Sequence, residues 1–579
     1  MDRNTIIAVV LIGLVIILMP VYYKWIMPEK PPQEQPAEQP KVLQPKPQVQ
    51  PPSTEIPPTI TPQESVQDTT LQAMGFPMTG EEETVEVDME KLTLVFSTHG
   101  AKLIRCVIHG YHSHLGGDVQ IIREDGRGDL VASFRGQHGE LNTEDIYFTV
   151  DKNHLSLKDS EIGSIVFRAE GAGGAFIEER YDFVGDRYDL EWSINAQGVG
   201  SGTASEEVWL SWEGGLAISE ADSVLAIQYS KAYAYYGNSL IKYDVGRKDT
   251  LKTGDTQWVA VRNRYFEAAI IAADNPASAF YLHGIRETDL YPNRRDMQQK
   301  VFQTALIDPM YGRDYHRDLI VFLGPLDYWV MKAQGHNLQK TLDWGWDFFR
   351  LTVPILWVLK TLHSFIPNYG VVLIVFSVLV KFLVWPLTHK SHESMKRMQV
   401  LQPLIKELRE KYKDDMQRLQ KETMKLYKEH KVNPMGGCLP VLIQMPLFIA
   451  LFSVFRSTIE LRGAPFIFWI TDLSAPDYIF HLPFSLPLYG TGVAILPIIM
   501  GISTYFQSKL TMTDPNQKMM LYFMPIFLIL IFNKLPSGLT LYYTLFNFLT
   551  LAQQRIVKTH DPTLELAEAS PKPRGKPKK

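Results

Sequence analysis

The sequence predicts a polytopic α-helical membrane protein that carries a large β-sandwich domain outside the bilayer. Three observations predict it. The C-terminal third gathers Leu, Ile, Phe and Met into long apolar runs while the middle has ordinary soluble composition, so the near-zero mean hydropathy averages unlike parts. The middle alternates apolar and polar residues with period two. One apolar run, Gly370–Leu387, holds Lys381, and a cation in mid-bilayer costs roughly 2.5–3.5 kcal/mol, so this one has to face protein or water. The formal net charge of -5 gives no indication of a nucleic-acid partner. Cys106 and Cys438 fall in different layers of the predicted topology and read as small buried hydrophobes.

Residues 1–24 read as an N-terminal transmembrane anchor. Thr5–Tyr23 is uncharged and follows Arg3, and about 19 such residues cross ~30 Å of hydrocarbon. A cleaved signal peptide fits less well, because the run is long and no small-x-small site follows Met19-Pro20-Val21. Residues 25–82 are a Pro-rich linker: Pro28–Pro62 has too little apolar surface to offset its ordering entropy. Residues 83–343 are the β-sandwich domain. Leu92–Phe96, Tyr188–Asn195 and Gln257–Val261 read as strands, punctuated by Gly171–Gly174 and Gly198–Gly202. The glycine spacing at 198–202 does not match a dinucleotide fingerprint, and turn glycines fit better.

Residues 344–367 read as an interfacial amphipathic helix. Asp347, Arg350, Thr361 and Ser364 gather on one side, and nine uncharged residues between Arg350 and Lys360 are too few to span. A last helix of the β-domain is the alternative. Residues 368–556 are a five-helix core, with apolar segments Tyr369–Leu387, Met435–Phe455, Tyr489–Lys509, Met519–Phe532 and Leu539–Ile556. Pro536-Ser537-Gly538 turns the fourth tightly into the fifth. Residues 389–431 form a charged helical hairpin outside the membrane, one arm carrying Met395, Met398, Leu401, Ile405 and Leu408, the other Leu419, Met424 and Leu426. Asp414-Asp415 is its turn, and Asn433-Pro434 starts the next helix. Twelve Lys/Arg against seven Asp/Glu over Lys390–Lys431, and a basic tail at 557–579, place hairpin and both termini in the cytosol and the β-domain outside.

Polar residues mark the spans. Ser377 and Lys381 share a helix face; Thr540, Tyr543, Asn547, Thr550 and Gln554 make a stripe; Ser503, Thr504 and Gln507 lie on the third span and Gln444 on the second. Hydrogen bonding between helices accounts for any single Ser or Thr. Lys381 has no acidic residue in any span to pair with. It either snorkels, although Lys390 is about 13 Å further along a helix, or lines a hydrated groove. A transporter or channel predicts a path open to both sides, usually with internal repeats, and none is seen. An intramembrane enzyme is disfavoured: there is no HExxH, and Ser537 reads as turn chemistry. No cofactor or metal spacing is visible.

Four strings carry a specific resemblance: Lys381-Phe-Leu-Val-Trp-Pro-Leu-Thr388, Leu401-Gln-Pro403, Val432-Asn-Pro-Met-Gly-Gly-Cys-Leu-Pro-Val-Leu-Ile-Gln-Met-Pro-Leu-Phe448 and Pro536-Ser-Gly-Leu-Thr-Leu-Tyr-Tyr543. They resemble the YidC/Oxa/Alb family of membrane protein insertases, Gram-negative type. The resemblance implies a periplasmic β-supersandwich and a five-helix core around a cationic groove that opens to cytosol and lipid. It implies a groove lined by Ser377, Lys381, Gln444, Thr504, Gln507, Thr540, Tyr543 and Asn547, and a greasy slide of Met445 and Phe448. The family usually has arginine where this chain has Lys381, which keeps the charge and loses bidentate geometry. Further implications are a non-enzymatic insertase and chaperone of the inner membrane, working alone or with the Sec translocon. Its expected partners are nascent membrane proteins, the ribosome through hairpin or tail, and membrane lipids, with no nucleic-acid substrate.

Overall fold

The computed structural model describes residues 74–556 apart from 124–127, 137–138, 201–205, 288–298, 343, 345–349, 414, 431, 433–438, 488 and 512–517. The expected anchor, tether and basic tail, together with Asp414, Asn433-Pro434 and Cys438, lie outside the described residues.

The β-domain is two sheets face to face. A five-stranded sheet runs, in spatial order, Asp118–Gln120, Leu103–His112, Leu92–Ser97, Thr84–Asp88, His154–Ser156. Opposite it lies a 14-stranded sheet, whose central strands include Thr250–Arg262, Phe266–Ala272, Tyr315–Pro325, Asp189–Gln197 and Phe176–Val184. Period two decides which side chains go inward: Leu190, Trp192, Ile194 and Ala196 are buried on Asp189–Gln197, as the alternation there predicts. From the smaller sheet Phe96 meets the rings of Tyr181 and Phe167 at 4.6 and 6.0 Å. The strand Phe266–Ala272 is buried on both faces, since a second apolar layer with Trp258, Phe322, Met331 and Leu338 covers the outside of the large sheet.

Glu179 points into this sandwich, wholly buried, with Trp192 Nε1–H donating to it at 3.0 Å and the Tyr181 hydroxyl also at 3.0 Å. Burial pushes its carboxyl up to about 8. A carboxyl raised on folding holds its proton more tightly in the native state. Its contribution is therefore full below the unfolded value near 4.5, falls as pH rises and is gone above about 8. Glu179→Gln is expected to flatten this part of the pH dependence, raising relative stability at pH 8 by on the order of a few kcal/mol. Thermal unfolding of wild type and variant at pH 5 and pH 8 checks it; parallel shifts at both values would contradict it.

Ten helices are described: α1 (Ser223–Tyr229), α2 (Tyr328–Ala333), α3 (Thr352–His363), α4 (Tyr369–Val400), α5 (Gln402–Lys411), α6 (Met416–Glu429), α7 (Leu439–Ser457), α8 (Ile495–Thr511), α9 (Lys518–Phe532) and α10 (Ser537–Ile556). Asn368 caps α4, its side chain accepting from Val371 N–H at 3.1 Å. Tyr369–Pro386 has mean hydropathy 2.1 over 18 residues and passes as a span by length and composition alone. With its 32 residues, α4 runs about 48 Å, longer than ~30 Å of hydrocarbon, and continues into the charged hairpin. Leu401, Ile405 and Val432 close that hairpin with Met398, Leu426 and Tyr427; Met424, expected in the stripe, is 45% exposed.

Two expectations change. The segment expected to be helical from Tyr489 begins as a strand: Gly490–Ala494 pairs antiparallel with Tyr478–Leu486, and α8 starts only at Ile495. Gly490, at φ 93, takes the left-handed turn that permits the pairing. Asp477 then caps α8 from a distance, accepting from Ile495 N–H at 3.1 Å and Leu496 N–H at 2.8 Å. The helix expected over 344–367 is described only from Thr352, and its Ile355, Leu356 and Leu359 are buried; Ile355 and Leu359 pack into one cluster with Val372, Leu373 and Phe376 of α4.

Three cations stitch the β-domain to the helices. Arg264 donates to the carbonyl of Ser474 at 3.0 Å, Arg462 to Glu220 at 2.7 Å, and Lys360 to Asp327 at 2.8 Å.

Candidate functional site

In the helical core α10 packs against α4, α7 and α8, and α9 lies against α8. The polar stripe of α10 is therefore shared out among neighbours. Lys381 lies twelve residues into α4, about 18 Å from Tyr369, beyond the midpoint of ~30 Å of hydrocarbon as seen from the β-domain. Only 4% of it is exposed, so it does not snorkel to the surface. Its Nζ donates to Thr550 Oγ1 at 2.8 Å and sits 4.6 Å from the centre of the Phe546 ring. Thr550 is fixed for this role because its own hydroxyl donates to Phe546 O at 2.7 Å, leaving lone pairs towards the lysine. Among the described residues no carboxylate forms an ion pair with Lys381.

One turn back, Asn547 turns the other way and donates to Ser503 Oγ at 3.0 Å and Thr504 Oγ1 at 2.9 Å, tying α10 to α8. Thr540 is buried, its hydroxyl near Pro536 O, and Ser377 is fully buried and bonds back to Leu373 O at 2.7 Å. Gln444 and Gln507 are half-buried on α7 and α8. Tyr543 enters an aromatic cluster with Phe448 at 5.4 Å and Phe532 at 5.7 Å, while Met445 is 41% exposed on α7. Thus Lys381 meets Thr550, Asn547 meets Thr504, and Tyr543 meets Phe448; Ser377 and Thr540 bond within their own helices. The aromatic face of Phe546 and the amide of Gln553, whose Nε2 reaches Thr388 at 3.4 Å, escaped the sequence reading. Phe546 stands four residues before Thr550, the spacing that could have exposed it.

Buried polar atoms along α10 are left over. Tyr543 Oη, Gln553 Oε1 and both amide atoms of Gln554 have no hydrogen-bond partner among the described residues. Away from water each such group is costly.

The end of the core nearest the β-domain is tied together by hydrogen bonds. The turn between α9 and α10 is laced to the preceding loop: Ser537 N–H donates to Ala475 O at 2.8 Å, its hydroxyl to Asp472 O at 2.8 Å, and Gly538 N–H to Leu473 O at 2.9 Å. Asn533, wholly buried, donates to Tyr489 O at 3.0 Å and Gly492 O at 2.7 Å and accepts from Ala494 N–H at 3.0 Å. The hairpin of Tyr478–Ala494 is thereby fastened across the helix ends.

Fold and site together define a helical core with, among the described residues, one span-length apolar helix and a buried cationic seam, laced by hydrogen bonds at one end and joined there to a β-sandwich. Residues 84–358 match the family model described as YidC periplasmic domain, and residues 361–563 the one described as 60Kd inner membrane protein. The chain is 36% identical over 574 residues to the membrane protein insertase YidC of Chlorobaculum tepidum, covering 96% of this chain and 94% of that one. To the insertase YidC of Prosthecochloris aestuarii it is 37% identical over 589 residues, covering 99% and 97%. A solved structure described as an active YidC insertase with its first transmembrane domain resolved aligns over 84% of this chain and 95% of that one, at 19% identity and a TM-score of 0.36. The chain belongs to the YidC family of membrane protein insertases. It is an inner-membrane protein, and its β-domain is periplasmic.

Proposed function

We propose that the chain inserts nascent membrane proteins by holding a polar segment of the client against Lys381 while the client's apolar helix passes into lipid. The observation that carries this is the seam itself: a buried cation whose partners among the described residues are a hydroxyl and an aromatic ring, on a helix that also carries the unsatisfied atoms of Tyr543, Gln553 and Gln554. Such a site stabilises an incoming carboxylate or backbone carbonyl more than it stabilises itself. Ser377, Gln444, Thr504, Gln507, Thr540, Tyr543 and Asn547 line the polar path, and Met445 and Phe448 form the apolar edge along which the client slides. Partitioning into lipid at ~0.8 kcal/mol per buried CH₂ supplies the drive. The fastened hairpin at the periplasmic end favours access from the cytosol. Both chain termini lie there, with 389–431 and the basic tail facing the ribosome. The core works alone or beside the Sec translocon, in contact with membrane lipids and without a nucleic-acid substrate.

Photo-crosslinkers placed at Ser377 and Tyr543 test the path against a stalled nascent chain. Capture of the client from both positions is expected. Capture from neither, with crosslinks confined to lipid-facing positions such as Leu383, would overturn it.

A further inference from the structure

A groove of about 680 Å³ runs between α2 of the periplasmic domain and α3 of the helical core. Tyr328, Trp329 and Ala333 form one wall and Val353, Pro354 and Trp357 the other, with Lys332 the one charged lining residue among those described. We propose that this groove holds one anionic phospholipid of the periplasmic leaflet, its acyl chain against the aromatic walls and its phosphate at Lys332.

Four observations point to lipid. First, α3 is apolar on two sides. Ile355, Leu356 and Leu359 are buried, yet Pro354 and Trp357 on the other side are exposed, Trp357 by 57%. Water is a poor neighbour for such a face. Second, its height is fixed. Ile355 and Leu359 share a cluster with Val372, Leu373 and Phe376, so α3 lies beside the first turns of the span. Its 12 residues cover about 18 Å, too short to cross. Third, exposed apolar residues follow α3 along the chain up to the span's outer end, Phe365 at 82% and Val371 at 39%. Tryptophan and tyrosine with lysine are the residues of the headgroup level. Fourth, the charge suits an anion. The exposed Lys332 lies 5.8 Å from the Tyr328 ring, no acid lines the groove among the described residues, and Asp327 at the start of α2 is already taken by Lys360 and by the N–H groups of Trp329 and Val330. A lipid seated here bridges α2 and α3 and sets the height of the periplasmic domain over the bilayer.

The test uses the full chain in lipid nanodiscs doped with phosphatidylglycerol that carries a diazirine in its acyl chain. After irradiation, labelled residues are mapped by mass spectrometry. Labelling at Trp329 and Trp357 is expected to exceed that at Phe382 and Leu383, which face the same discs. Unlabelled phosphatidylglycerol should compete it away and phosphatidylcholine should not. Lys332→Glu should lower it about tenfold, with an unchanged melting temperature because Lys332 is exposed. Labelling no denser than at Phe382 and Leu383, equal competition by phosphatidylcholine, or indifference to Lys332→Glu would each overturn the proposal. So would a photo-crosslinker at Trp357 that captures polypeptide instead of lipid.

Discussion

Lys381→Glu is expected to abolish insertion of a single-span client with an acidic N-terminal tail, while Lys381→Arg retains most of it. The pocket around position 381 is built for a cation: the face of Phe546 presents its negative quadrupole and Thr550 presents lone pairs, its proton being committed to Phe546 O. A carboxylate there faces two electron-rich neighbours and repels the acidic tail as well. Like-charge juxtaposition of this kind costs several kcal/mol, on the order of 100-fold in capture. Arginine keeps the charge, and its planar head can still stack on the ring. Lys381→Met separates charge from packing, since it fills similar volume without the cation. The measurement is protease accessibility of the translocated tail in a strain depleted of its own insertase, with a neutral-tailed client beside the acidic one. Normal insertion of the acidic-tailed client by either Lys381→Glu or Lys381→Met would end the electrostatic account. Equal loss for both clients would reassign Lys381 to holding α4 against α10.

Asn533→Ala is expected to cause the largest loss of stability in the helical core, roughly 3 kcal/mol or more. One buried amide serves three backbone groups, Tyr489 O, Gly492 O and Ala494 N–H. Removing it orphans all of them at about 1–3 kcal/mol each. Polar contacts between membrane helices average nearer ~0.6 kcal/mol, because the loosened state finds other partners. The larger figure wins here: Asn533 and Ala494 are fully buried, and the hairpin strands are already paired with each other, so the freed groups have little to turn to. Asn533→Asp keeps the acceptor for Ala494 N–H but loses both donors and should fall between wild type and alanine. Tryptophan-monitored unfolding in detergent measures the series. A cost for Asn533→Ala below about 1 kcal/mol would show that the periplasmic fastening does not depend on this residue.

Local pattern made much of this legible. Alternation along 188–195 gave the strand and its inward face, since period two is a property of the extended chain itself. Lys381 stood out because a charge inside an apolar run is anomalous whatever surrounds it. The stripe on α10 was readable for the same reason, as helical spacing depends only on the helix.

What surrounds those residues was not readable. Thr550 lies 169 positions from Lys381, and in sequence nothing separates it from Thr540, which bonds within its own helix. Asn533 and Asp477 belong to no local pattern that singles them out; their role exists only once the hairpin and the helix ends meet. The strand at Gly490–Ala494 reads in sequence as the start of a span because apolar runs look alike until a partner strand is known. On α3 and at its C-cap the polar residues Thr361 and Ser364 are exposed, and the apolar residues lie on two sides, buried where the helix meets α4 and open towards α2. The order of residues alone settled membrane core, β-domain and the buried cation, because hydropathy and period are local quantities. Only the folded chain decided which hydroxyl faces the lysine, what ties the periplasmic end together and where a groove opens beside the bilayer, because those depend on distances between residues that the covalent chain leaves far apart.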